Sequence, residues 1–325
     1  MSRPFVVLGY AAPEAHSKSQ RRMSMLAARL AEIGGVDVSV TPLSSYDRVA
    51  QLIHHREIDL AWLSPIPLIA LARNRRVVPM LSLHRDQQLH YRCALIVSSS
   101  CHMTTFEELR GKRAAWVDRQ SASGYVLPRI ELAVHEIGPR NLAGERFFGS
   151  HGGVVRAVAS GRADFGATFA RVAAGGGVTG VTGPWSQTPL ARSIRVVTTF
   201  GDVPADAIAA RADLDRGVRE RVTHALRAMT KGASDRELLA TAFGVHEFRV
   251  PRRSMYDALR KTVYEAFCDG LLESDATTDE AILGVAATIE HRRVVIAPEP
   301  PTMRKLPRGP TKTPDDTQED GEVVS

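Results

Sequence analysis

Trp116-Val117-Asp118-Arg119-Gln120-Ser121-Ala122-Ser123-Gly124-Tyr125 is the stretch on which the reading of this chain turns. Arg113 to Val117 has the composition of a short buried strand, Asp118 to Tyr125 is a loop of small and polar residues, and a helical pattern follows to about Gly138. The first turn of a helix carries N–H groups with no intrahelical acceptor and the positive end of the helix dipole, so it attracts anions. Ser121 and Ser123 add hydroxyl donors, the amides around Ala122 lie at the helix start, and Gly124 lets the backbone approach a ligand oxygen closely. The same residues also suit an ordinary N-cap.

Toward the N-terminus, strands alternate with helices. Strands are expected at Phe5–Gly9, Val36–Val40, Ile58–Leu63 and Val77–Leu83. Helices are expected at Ser19–Ile33, stopped by Gly34-Gly35, at Tyr46–Arg56, and after Ser64-Pro65, where Ser caps and Pro fits the first turn. This βαβαβ order implies a mostly parallel sheet flanked by helices.

A second unit starts near residue 91. It has strands at Cys93–Val97, Arg113–Val117, Phe147-Phe148, Asp164–Ala167 and Ile194–Thr199, a short capped helix over Thr104–Lys112, and a helix over Val154–Ser160. Ala173 to Pro189, rich in Gly, Thr and Pro, reads as an exposed, mobile loop. Four helices follow: Asp213–Lys231, Asp235–Phe243, Ser254–Leu272 and Thr278–His291. From Pro298 six prolines mix with charges and few apolar residues, so 298–325 reads as a disordered tail.

Composition narrows the function classes. The chain has 325 residues, 44% hydrophobic and 24% charged, which excludes fibrous and wholly disordered classes and suggests about two domains. No apolar run reaches the roughly 18 residues of a membrane span. Three scattered cysteines, Cys93, Cys101 and Cys268, build neither a disulfide framework nor a Cys-rich zinc site. Lys+Arg is 42 against Asp+Glu 36, a net charge of +6. Those cations are dispersed rather than interleaved with aromatics, so no nucleic-acid partner is expected, and the excess serves instead to attract small anions. The start lacks the apolar core of a secretory signal, because Gly9 to Pro13 breaks the run after Phe5–Leu8, and a cytoplasmic location is the corresponding expectation.

Catalytic signatures are absent. There is no Gly-x-Ser-x-Gly elbow, phosphate-loop lysine motif, dinucleotide fingerprint or His-Glu-x-x-His, and His54-His55 point to different helix faces. No catalytic residue, metal or cofactor is therefore expected. Ser64 repeats the helix-start geometry of Ser121 in the first unit, and the two starts could face one another across a cleft. His151, in Gly149-Ser150-His151-Gly152-Gly153, suits an exposed loop before a helix. Tyr46, Tyr91 and Asp206 lie in loops.

In order and spacing these stretches resemble the phosphate/phosphite/phosphonate substrate-binding proteins of ABC transporters. The matching stretches are Ser45-Tyr46, Glu57–Pro65, His90–Val97, Phe106–Lys112, Asp118–Tyr125, Ser150-His151, Gly161–Ala167 and Val203–Asp206, covering roughly residues 4–230. The Ser-x-Ser-Gly-Tyr element followed by Ser-His is the most specific. The resemblance implies a two-lobe type 2 periplasmic-binding-protein fold, with lobe 1 from 1–88 and 203–297, a nested lobe 2 from 89–202, and hinge crossovers near 86–92 and 200–206. It implies that Ser121, Ser123 and the amides near Ala122 hold an oxyanion, that His151 donates to it, that Tyr46 and Tyr91 close over it, and that Asp206 accepts from a protonated ligand oxygen or an amine.

Two positions depart from the family. Gly152 stands where Asp often follows Ser-His, and Arg171 lies near the place of an acid that recognises ligand amines in some members, which argues against an aminoalkyl ligand. The implied function is capture of a small phosphonate-, phosphite- or phosphate-like oxyanion by hinge closure, for uptake with ABC transporter membrane subunits. A cytoplasmic ligand sensor of the same fold is the alternative, and an enzyme resembling thiamine-pyrimidine synthases lacks its Cys-rich motif here.

Overall fold

The computed structural model describes residues 3–12, 17–84, 90–172 and 180–272. The expected helix over 278–291, the tail over 298–325 and most of the first crossover lie outside them.

Two six- and five-membered strand paths form separate sheets. The first contains β1 (Phe5–Ala11), β2 (Asp37–Leu43), β3 (Leu60–Leu63), β4 (Val77–His84), β11 (Ala207–Arg211) and β12 (Glu247–Arg249), in the order β12-β4-β11-β3-β1-β2. The second contains β5 (His90–Ser98), β6 (Arg113–Trp116), β7 (Gly144–Phe147), β8 (Phe165–Val172) and β10 (Ile194–Pro204), in the order β10-β5-β8-β6-β7, with β9 (Val181–Thr182) on the end of β8. In the first sheet β1 pairs parallel with β2 and β3, and β11 inserts antiparallel between β3 and β4. In the second, β6 pairs parallel with β7 and β8, and β5 runs antiparallel to β8 and β10.

Each sheet is covered by helices through apolar faces at helical spacing. α1 (Ser17–Gly34) buries Met23, Leu26 and Leu30 in one cluster with Val6 and Leu8 of β1 and with Val218, Val222 and Leu226 of α6 (Arg216–Met229). On the opposite face, Val49, Leu52 and Ile53 of α2 (Tyr46–His54) and Leu68 and Leu71 of α3 (Pro65–Arg73) pack on Ala61 and Ala209. In the second unit α4 (Leu127–Val134) and α5 (His151–Ala159) take opposite faces of the sheet. Among the described residues no helix is long and apolar enough to cross a membrane.

The structure departs from the sequence reading in several places. The sequence reading assigns no element to Ala207–Arg211, whose run Ala207-Ile208-Ala209-Ala210 shows no alternation; it is a central strand with those four residues buried, where alternation is not required. β12 was likewise unread. The expected helix over Thr104–Lys112 shrinks to a single turn, Glu107–Leu109, with the Glu108 carboxylate accepting from the Thr104 and Thr105 amides. Part of the expected mobile loop is ordered: Val181–Thr182 pairs with Arg171–Val172, and Trp185 is 6% exposed. α8 (Asp257–Cys268) buries Leu259, Val263 and Ala266 in a cluster shared by Ile66 of α3 and by Cys93, Val126, Leu127 and Ile130 of the second unit. α7 (Ala233–Phe243) ends at Gly244, whose φ of 61° permits the left-handed cap.

An ion pair with a buried arginine braces the second unit behind its helix start. Arg129 on α4, with a side chain 4% exposed, pairs with Glu145 on β7, and its guanidinium carbon lies 5.5 Å from the centroid of the Trp116 ring. Glu145 also accepts from Trp116 Nε1 at 2.7 Å. Removing one partner of a buried pair leaves an uncompensated charge. Glu145→Ala is therefore expected to cost about 3–5 kcal/mol of unfolding free energy by denaturant titration. At Gly124, an added Cβ would lie 2.3 Å from Val117 Cγ2. Gly124→Ala is expected to lose about 1–3 kcal/mol by the same measurement, because a β-carbon there overpacks the strand end.

Candidate functional site

The helix start that follows β6 is built by local bonds that spend most of its donors. Ser121 Oγ accepts from the Gly124 amide at 3.1 Å, and Ser121 O accepts from the amides of Tyr125 and Val126 at 3.1 and 3.0 Å. The result is one π-helical turn, Ala122–Val126, leading into α4. The Gly124 carbonyl accepts from Val117 N–H at 3.1 Å, which draws the turn against the strand end. The amides of Ala122 and Ser123 meet no acceptor among the described residues, although both residues are only 1% exposed.

Ala122 faces a cavity of about 600 Å³ between the two sheets. Four helix starts converge on its wall: Tyr46 opens α2, Ser64 precedes α3, Ser121-Ala122 opens the turn into α4, and His151 opens α5. Two come from each lobe. They do not contribute alike. The Tyr46 amide donates to the Asp118 carboxylate across the cleft. Ser64 makes no side-chain cap; its hydroxyl donates to Gln120 O of the other lobe at 3.1 Å. Pro65 and Pro67 have no N–H to offer in the first turn of α3. Thus the lobe 1 helix starts make contacts between the lobes, while the amides at Ala122 and Ser123 are not spent on such contacts.

His151 is the first residue of α5 rather than a loop residue. The Ser150 side chain accepts from Gly153 N–H at 2.9 Å and starts the helix through the two glycines that suggested a loop. Its Nδ1 shares a 2.8 Å hydrogen bond with Thr168 Oγ1, and its ring meets Phe169 edge-on at 4.9 Å, so the imidazole is fixed in orientation. Asp206 lies between β10 and β11, and its carboxylate accepts from Trp62 Nε1 at 3.0 Å. The Asp206 carbonyl accepts from Leu83 N–H at 2.8 Å, and the Ala205 carbonyl accepts from the buried Tyr256 hydroxyl at 2.9 Å, so this crossover is tied to lobe 1 and to the chain before α8. Burial, reinforced by the Asp206 charge, pushes the Tyr256 hydroxyl well up, so it stays a donor.

Of the residues singled out from the sequence, the cavity wall brings together Tyr46, Ser64, Tyr91, Ser121, Ala122, His151 and Asp206. It excludes Ser123 and Gly124. Gly124 is needed for packing on Val117, and its N–H is already bonded to Ser121, so close approach to a ligand is not its role. Trp62, Phe169, Arg171, Gln187 and His246 also line the wall. Trp62 and Phe169 lie within strands whose apolar character reads as core, and only Arg171 was singled out, through the resemblance, as a cation near the place of an amine-recognising acid.

Asp118 was read as part of the loop but not as a site residue. It is 8% exposed, and burial raises its carboxyl against the opposing Gln120 and Tyr46 amides. A larger groove of about 800 Å³ lies between α6, β4 and β12 and contains none of the residues singled out from the sequence. It lacks converging helix starts.

Comparison with known proteins agrees with this architecture. The chain is similar in structure to a binding protein of an ABC phosphonate transporter from Pseudomonas aeruginosa, with a TM-score of 0.70 at 16% identity over 90% of this chain and 99% of that one. It is similar to the PhnD1 protein of Prochlorococcus marinus in complex with methylphosphonate, with a TM-score of 0.67 at 16% identity over 81% and 98% of the two chains. The alkanesulfonate-binding protein SsuA of Xanthomonas axonopodis pv. citri, bound to MOPS, gives 0.57 at 16% identity over 88% and 98%. These likenesses establish the type 2 periplasmic-binding-protein fold. The family described as ABC transporter, phosphonate, periplasmic substrate-binding protein matches residues 8–256, a span that takes in every strand of both sheets but the first residues of β1, and this chain belongs to it.

Proposed function

We propose that this protein captures a phosphonate-class oxyanion between its lobes, without making or breaking bonds, and presents it to the membrane subunits of an ABC transporter. The observation that carries this reading is the pair of enclosed amides at Ala122 and Ser123 that donate to nothing among the described residues. Buried N–H groups are almost always paired, and a helix start is where an anion supplies the missing acceptors. The Ser121 hydroxyl adds a donor beside them, and His151 donates to another ligand oxygen. Tyr46, Tyr91 and Ser64 wall the ligand from lobe 1 and the crossover. Asp206 accepts from a protonated ligand oxygen, which a phosphonate monoanion possesses and a sulfonate lacks.

Recognition mainly by neutral dipoles fits a binder that must also release its cargo. Fixed amides need no counter-charge and keep the site from holding every passing anion. The ligand contacts both lobes only when they are closed, so binding shifts the open–closed equilibrium toward closure by the difference in contact energy. The crossover through Ala205-Asp206 is short and lines the cavity, so an Asp206 contact to the ligand would lie at the hinge itself.

Calorimetric titration with methylphosphonate, phosphite, phosphate and sulfate tests the reading. Binding of methylphosphonate is expected, and folded protein that binds none of the four overturns it. Ser121→Ala is expected to weaken methylphosphonate binding by about 1–3 kcal/mol. Asp206→Asn is expected to narrow the preference for methylphosphonate over methanesulfonate, measured as the ratio of their Kd values, because the acceptor that senses the ligand proton is neutralised.

A further inference from the structure

The cavity is larger than its oxyanion end requires. Its volume of about 600 Å³ falls within the range of about 300–1,000 Å³ that encloses drug-sized ligands. A C–PO₃ headgroup beside Ala122 and His151 occupies a small part of that space. Among the described residues, what remains is bounded by aromatic rings and by one guanidinium.

β8 places that guanidinium. Thr168 and Ala170 are fully buried beneath the strand, while Phe169 and Arg171 are partly exposed on the cavity side. Side chains two apart leave a strand on the same face, about 7 Å from one another. The Phe169 ring stands between two polar groups: its centroid is 4.9 Å from that of His151 and 5.6 Å from the Arg171 guanidinium carbon. Tyr91 meets the same ring edge-on at 6.2 Å. One wall therefore runs from the imidazole that faces the oxyanion, over an aromatic platform, to a permanent cation.

The charges of the wall complete the picture. Among the described residues of the wall, Arg171 is the one permanent cation and Asp206 the one carboxylate, and Asp206 takes a hydrogen bond from Trp62 on the lobe 1 side. An ammonium group extended along Phe169 would approach a like charge. A carboxylate extended the same way would meet a planar fork of donors with matching geometry. Resting on the oxyanion reading above, we propose that the preferred ligand is a phosphonate whose organic substituent carries a second anionic group, with Arg171 as the residue that selects it.

Calorimetry on the full chain at one pH and ionic strength tests this with three phosphonates of similar length. Wild type is expected to bind 3-phosphonopropionate at least about tenfold more tightly than propylphosphonate, and 2-aminoethylphosphonate most weakly. Arg171→Gln is expected to reduce the carboxylate advantage to within about threefold, while its affinity for propylphosphonate stays within about threefold of wild type. Equal or tighter binding of propylphosphonate by wild type overturns the inference. So does an Arg171→Gln variant that weakens both ligands equally. Wild-type protein that binds none of the phosphonates overturns the oxyanion reading as well, whereas binding without discrimination overturns only the role of Arg171. The wild-type series decides the matter if the variant fails to fold, which its circular dichroism reveals.

Discussion

At Ala122 a helix begins inside the protein, with two amides facing no acceptor. Leaving a buried donor unpaired costs on the order of 1–3 kcal/mol. A chain tolerates such a cost only where the surrounding structure holds the geometry firmly. Here the bracing is visible. The end of β6 is tied to the turn through Val117 and Gly124, Gly124 has no side chain to push the turn away, and the Arg129–Glu145 pair anchors α4 to β7 behind it. Loosening any of these would let the amides find water and would blunt the site.

The same economy of hydrogen bonds governs how the lobes meet. Ser64 gives up the usual capping bond and reaches Gln120 of the other lobe, while the Tyr46 amide reaches Asp118. Both contacts exist only with the lobes together. They are opposed by the burial of Asp118, whose carboxyl is raised because its charge is removed from water and because Asp47 lies nearby. Closure bonds offset by a buried acid suit a hinge whose balance a ligand must tip, since a ligand moves an equilibrium only by its preference for one state.

Much of this was legible from residue patterns, and the failures have physical causes. The edge strand β2 alternates valine with polar residues in its sequence, and helices such as α6 show a 3.6-residue stripe, so both can be read. β11 is enclosed on both faces and on both edges, and its alanines carry no periodic signal. Gly152-Gly153 suggested a loop because glycine disfavours helices, but the Ser150 cap and the close packing of Gly153 on Phe148 outweigh that propensity. α8 has an apolar stripe that fits either lobe, and only the packed structure shows that it packs with both Ile66 of α3 and the second unit.

By itself, the sequence determined the two α/β units, the order of their elements, and the helix starts at Ser64 and Ser121, because strand–loop–helix punctuation and capping are local. The tertiary structure alone decided that four helix starts share one cavity and that Ser64 and the Tyr46 amide bond across it to the other lobe. It alone gave Gly124 a packing role and set Arg171 across Phe169 from His151. Residues up to 200 positions apart, such as Tyr46 and His246, meet at that cavity because two sheets close on one another, and no pattern within a short window carries the position of the other lobe.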